Sequence, residues 1–434
     1  MLEYTSIYVL SASFLVGLPF AVLLYAYINS RRSPKPNRDG TLRILKEKSP
    51  NLPPAYPLKA YTLAQITSIG PFPCYATLTG VPLPEPYHAF DIKTAKPRPY
   101  RPFRWAYHQT MSLTRLEPNW WLELEDTYST RLLQRSQILQ KYKTKIIDRH
   151  LNISNPWRVE VACQELMEMV IQFLCSRYPQ YFHFDTSKFV FLNRILGREF
   201  EVYKMDPLDF VFQNVPEDFA IVMPDDGRGG KYVFVAGMIC SSVGWDLGEK
   251  IGKALGEIHG VVPEYKEKME RSMDRYFSKL TTDKPIQRGS WDIVVGEPLF
   301  VCGGEKFNKR RSGQDHNIKE EDLTLRVDWQ TLRRLPLSGG IVFNYKALFT
   351  PVKEFEDEPG VPALVEKVLR EGNKKILEYK GTWHVEHVVL PMLERMKRRQ
   401  VEMGVWEEGK EVRTLEESPF YRGWEEKWRN QQEF

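Results

Sequence analysis

The sequence predicts an α+β fold built on an antiparallel sheet, with one transmembrane helix added at the N-terminus. Three observations carry this. Two strand pairs, near 220–236 and 322–349, are each closed by a short turn-forming stretch. Helical spacing fills the segments between and after them. Single strands do not alternate with helices as a parallel sheet requires.

The elements follow in order. Residues 7–28 read IYVLSASFLVGLPFAVLLYAYI, without a charge. About 20 apolar residues cross a hydrocarbon core, so one span fits. The start, Met1-Leu2-Glu3, has no Lys or Arg, which favours an uncleaved anchor over a signal peptide. Arg31, Arg32, Lys35 and Arg38 follow the span and orient the large domain to the cytosol. The expected location is thus a single-pass protein of the endoplasmic reticulum or another internal membrane. The sequon Asn152-Ile153-Ser154 is then unused.

Prolines crowd 30–100, which reads as a tether and extended segment. Helical spacing covers 123–149 and 158–177; Val161, Leu166, Met169, Val170, Phe173 and Leu174 form an apolar stripe between Pro156 and Pro179. Strands 220–223 and 232–236 flank the turn Asp225-Asp226-Gly227-Arg228-Gly229-Gly230. Helices are expected at 246–258 and 263–280, then strands at 322–332 and 340–349, then helices at 361–378 and 384–402. The Trp-rich tail reads as docked. The expected division is anchor 1–29, tether 30–100, globular domain 101–405 and tail 406–434.

Composition limits the function. The 434 residues carry 61 basic and 56 acidic side chains, a net charge of +5, which gives no argument for nucleic acid. With 42% hydrophobic and 13% aromatic residues, disordered and collagen-like chains are excluded. A mean hydropathy of −0.43 excludes a polytopic membrane protein. Five cysteines without a C-x-x-C pair carry no disulfide, iron–sulfur or zinc-ribbon signature. No G-x-G-x-x-G opens a helix after a strand, and His384-Val385-Glu386-His387 fits no zinc hydrolase pattern.

The most unusual stretch is 244–260, with glycine at 244, 248, 252, 256 and 260. On one helix these would share a face, at roughly 1 kcal/mol per interior glycine relative to alanine. A bare ridge admits a close packing neighbour or a flat ligand. His259 projects near that face, where an imidazole could serve as an axial haem ligand.

Several segments together resemble the haem-dependent oxidative N-demethylase family, in a fungal-type, membrane-anchored form. They are RPFRWAYHQTM at 101–111, WLELEDTY at 121–128, RYP at 177–179, GWD at 244–246, KIG at 250–252, IHGVVP at 258–263 and RVDWQTLRRLP at 326–336. The resemblance implies a PAS-like antiparallel sheet with flanking helices. It implies a haem b monooxygenase that demethylates or otherwise oxidises a small amine with O2. His259 is the implied iron ligand, with His108 as rival. Gly252, Gly256, Trp245 and Lys250 are the implied cofactor contacts, and His108, Arg326, Gln330 and Arg333 the implied catalytic set. The family pattern has Arg between an acidic residue and Gln-Thr-Leu; Trp329 stands there instead, so another arginine, Arg326, Arg333 or Arg334, would have to supply the charge. Lacking a dinucleotide site, the chain would draw electrons from NAD(P)H through a partner reductase. A haem sensor or carrier, and a haem-free scaffold, are the alternatives.

Overall fold

The computed structural model describes residues 60–105, 111–304 and 311–432. Within them ten strands form: β1 (Thr114–Arg115), β2 (Ile147–Arg149), β3 (Phe182–Asp185), β4 (Val190–Asn193), β5 (Arg198–Glu201), β6 (Asp218–Asp225), β7 (Lys231–Met238), β8 (Ile286–Val295), β9 (Leu323–Arg334) and β10 (Ile341–Pro351). Seven make one antiparallel sheet in the order β1-β8-β9-β10-β6-β7-β2, and β3-β4-β5 form a small meander. The α+β class with an antiparallel sheet is what the strand pairs predicted.

Local chemistry explains the framework. β6 and β7 are almost continuously apolar because both faces of the sheet are covered. Their turn closes through Gly229 and Gly230, both at positive φ, where a side chain would be strained. The Asp225 carboxylate accepts from the Gly227 and Ser154 N–H groups and pins the turn. β9 and β10 pair without a slip from Ile341↔Arg334 to Pro351↔Thr324. Side chains alternate along a strand. β9 therefore sends Leu325, Val327 and Trp329 to one core and Leu332 to another.

The larger core lies under the helix Trp157–Arg177, which is buried almost all round. Glu165 on this helix accepts from the N–H groups of Leu337 and Ser338 and locks the β9–β10 turn; burial pushes its carboxyl up to about 7. Residues from 60 onward belong to this core. Tyr61 N–H donates to the Leu337 carbonyl, Tyr75 Oη donates to Glu168, and Arg101 grips Glu358 with two bonds. The described part of the expected tether is thus packed, because its aromatic residues find buried partners between its prolines. The tail docks through the helix Trp424–Gln431, whose Trp428 Nε1–H donates 2.8 Å to the Lys96 carbonyl.

Several expectations change. The transmembrane helix and the single-pass membrane location are corrected: among the described residues no helix is long and apolar enough to cross a membrane. The segment 7–28 on which that expectation rested lies outside the described residues. The helix expected over 123–149 spans Tyr128–Tyr142; Lys143 takes φ +48, and Ile147–Arg149 leave to pair with β7. The single helices expected at 263–280 and 361–378 are each broken in two, at Met269 and at Gly372-Asn373.

Candidate functional site

The chain between β7 and β8 arches over one face of the sheet rather than packing flat on it. Beneath it lies a cavity of about 840 Å³, within the ~300–1,000 Å³ common for cofactor and ligand sites. The floor is the sheet. Arg288, Gln330, Tyr345 and Asp218 stand in one row across β8, β9, β10 and β6, where directly facing side chains lie roughly 5 Å apart. The next row, Ile286, Leu332, Phe343 and Ala220, is apolar. Phe277, Phe343 and Tyr345 rings stack in turn at 5.5 and 5.9 Å. The arch contributes Trp245, Lys250, His259, Tyr265, Met269 and Met273.

The arch is not the single glycine-faced helix that the 244–260 spacing suggested. Residues 244–260 hold two short helices instead, Leu247–Lys250 and Leu255–His259. Between them Ile251 is extended and Gly252 takes φ +78. Gly252 N–H donates to the Phe234 carbonyl, and Phe234 N–H donates to the Lys253 carbonyl. The edge of β7 thus takes the backbone bonds that a continuous helix would have used. Gly252 packs on His150, where a Cβ would approach within 2.8 Å; Gly256 packs on Glu270. Neither lines the cavity, whereas Gly244 of the same series does.

His259 does line the cavity. It ends its helix, with Nδ1 2.8 Å from the Leu255 carbonyl and its ring stacked on Tyr265 at 5.1 Å. A carbonyl only accepts, so Nδ1 carries the proton and Nε2 keeps its lone pair. Burial lowers the His259 pKa, and the charges of Lys250 and Arg288 lower it further, against the opposing carbonyl bond. A neutral imidazole with one nitrogen tethered and the other free is the form that ligates metals. Trp245 also lines the cavity, with the Lys250 ammonium 3.7 Å from its ring centre. Burial pushes Lys250 down to about 8.

The other expected residues divide. Gln330 is on the floor, between Arg288 and Tyr345. Arg326 reaches the cavity wall, but its guanidinium is committed: it donates to the carbonyls of Ser241, Pro298 and Leu299 and pairs with Asp328. Arg334 is likewise spent on the carbonyls of Phe277, Leu280 and Gly339. Arg333 points to the opposite face, stacked 4.4 Å from the Trp121 ring beside a pocket of about 30 Å³. That has room for about one water, so Arg333 takes no part in the cavity. Trp329 also faces away, donating from Nε1 to Gln287, so its departure from the family pattern does not alter the cavity wall. His108 lies outside the described residues. Cavity residues that the sequence did not single out are Arg288, Tyr345 and Tyr265. The alternation of polar and apolar residues in β8 was the available signal; Gly289-Ser290 at its centre masked it. Among the described residues no three His, Cys, Asp or Glu groups are gathered to hold a bare metal ion.

The sheet, the arch and the chamber between them define an α+β protein with a ligand-sized cavity against its antiparallel sheet. The chain belongs to the haem-dependent oxidative N-demethylase, alpha subunit-like family, whose model matches residues 112–390. At the level of that family its function is haem-dependent and oxidative N-demethylase-like. The match includes the His259 segment and the β9 motif; the segment with His108 precedes it.

Proposed function

We propose that the cavity holds haem b with His259 Nε2 as its protein ligand, and that the protein oxidatively demethylates a small N-methylated amine. One observation carries this: the tethered, neutral imidazole at the wall of a chamber of about 840 Å³. The residues fit the group. Iron in a porphyrin already has four nitrogen ligands and needs a single protein donor, which suits a wall with one histidine and no metal cluster among the described residues. When bound, haem supplies the O2 and one-electron chemistry that oxidises a carbon next to nitrogen.

The chain's own residues would set the environment. The stacked faces of Phe277, Phe343 and Tyr345 exclude water and suit a cationic amine, because aromatic faces attract ammonium groups. Burial raises the Tyr345 pKa and keeps its phenol protonated, so it can donate a hydrogen bond without bringing charge. Gln330, next to it in the row, offers a carbonyl oxygen to an N–H and an amide to an acceptor. The residues of the arch would close over the substrate. Electrons would come from NAD(P)H through a separate reductase.

Haem reconstitution tests the proposal. The full chain should take up haem and show a Soret band, and with a reductase should consume O2 in the presence of an N-methylamine, releasing formaldehyde. His259→Ala should shift the Soret band and lower haem occupancy, whereas His108→Ala should not. An unchanged spectrum and haem content in the His259 variant would overturn the ligand assignment.

A further inference from the structure

Arg288 stands out in the cavity by what it lacks. Its Nε is fully buried without a hydrogen-bond partner, and no described residue forms an ion pair with its guanidinium. The carboxylates of the same sheet face are each ion-paired with another arginine, although Asp292 Oδ1 is buried without a hydrogen-bond partner. Asp218 binds Arg135 and the N–H groups of Cys240 and Ser241. Asp328 binds Arg326, and Asp292 binds Arg311. The groups nearest Arg288 electrostatically are Tyr345 and Tyr100, both neutral phenols because burial raises their pKa values. A buried cation without a counter-charge is costly unless a ligand supplies one. The contrast with Arg333 is instructive: that guanidinium borders room for one water, whereas Arg288 borders the main chamber.

We infer that Arg288 is the anchor for a carboxylate bound in this cavity, with Gln330 beside it in the β8–β9 register. The fork of a guanidinium matches the two oxygens of a carboxylate. Two sources share this chemistry: a haem propionate, and the carboxylate of an N-methyl amino acid. The inference rests on the proposed function for these sources, but not for the anion site itself.

The test uses the full chain, with Arg288→Gln and the charge-keeping Arg288→Lys. Haem and haem dimethyl ester, whose propionates are masked, are titrated into each. If a propionate is the ligand, the wild type prefers the free acid by about tenfold or more. Arg288→Gln then loses that preference while still binding the ester, and Arg288→Lys keeps part of it. If a substrate carboxylate is the ligand, both haem forms bind all three proteins alike. N-methylglycine then shifts the Soret band of the wild type and not that of Arg288→Gln. Retention of both responses in Arg288→Gln overturns the assignment. If the wild type binds neither haem form, the haem reading fails, and calorimetric binding of benzoate decides the anion site separately. Loss of benzoate binding in Arg288→Gln supports the site, and equal binding, or none to the wild type, overturns it.

Discussion

The two faces of the large sheet are built from alternate residues of the same strands, yet they have opposite physical characters. One face is filled. The helix Trp157–Arg177 and the segment from residue 60 press on it, and Arg98 pairs with Glu123, Lys346 with Glu125 and Arg101 with Glu358, while Arg333 on this face stacks on Trp121 without an ion pair among the described residues. The other face is hollow. The arch stands off it, and Lys250 and Arg288 face the chamber without an ion pair among the described residues. The difference teaches that packing holds the fold together on the filled face, whereas the hollow face leaves the room that the proposed function requires. Close packing is relaxed on the hollow face, as is common at functional sites.

The largest test of this contrast compares two arginines. Arg101→Ala leaves Glu358 buried and alone and should cost about 3–5 kcal/mol in denaturant unfolding. Arg288→Met removes a cation that has no partner to abandon, and should leave stability unchanged or raise it. Equal destabilisation by the two would break the comparison. Next come two leucines of β9. Leu325→Ala opens a void in the filled core, at about 2–5 kcal/mol; Leu332→Ala enlarges a space that already exists and should cost roughly half as much. Thermal melts of both variants supply the check, and a larger loss for Leu332→Ala would contradict the hollow face.

The smallest effect is electrostatic. Lys250 titrates near 8 in the folded protein because burial disfavours its charge, against an ordinary value of 10.5. Between those values the unfolded chain binds more protons, so this group makes stability rise with pH across that window. The gain is on the order of 1–2 kcal/mol after allowing for its partial exposure. Subtracting the pH profile of Lys250→Met from that of the wild type isolates it. A flat difference would place Lys250 in water rather than in the chamber wall.

Much of the framework was legible in the sequence. Apolar runs bounded by turn residues marked β6, β7, β9 and β10, and the stripe from Val161 to Leu174 marked the central helix between its prolines. β8 was not legible, since its centre, Arg288-Gly289-Ser290, has the composition of a loop. There Tyr100 and Pro102 lie so close that a Cβ on Gly289 would come within 2.6 Å of the tyrosine ring. The glycine spacing misled because its periodicity matched a helix, while the free edge of β7 offered better partners for the Gly252 and Lys253 backbone. Of the expected site residues, His259, Trp245, Lys250, Gln330 and Arg326 meet at the cavity. Gly252, Gly256 and Arg333 do not.

The sequence alone determined the α+β class, the family and the residue types available for chemistry. Apolar periodicity, turn composition and ordered motifs are properties of neighbours along the chain. Only the tertiary structure decided which of these residues act together. Strand register placed Arg333 and Trp329 on the filled face and Gln330 in line with Arg288, a partition that a slip of one residue would reverse. The counter-charges of Asp218, Asp292 and Asp328 come from distant segments in sequence, and that allocation is what leaves Arg288 unpaired.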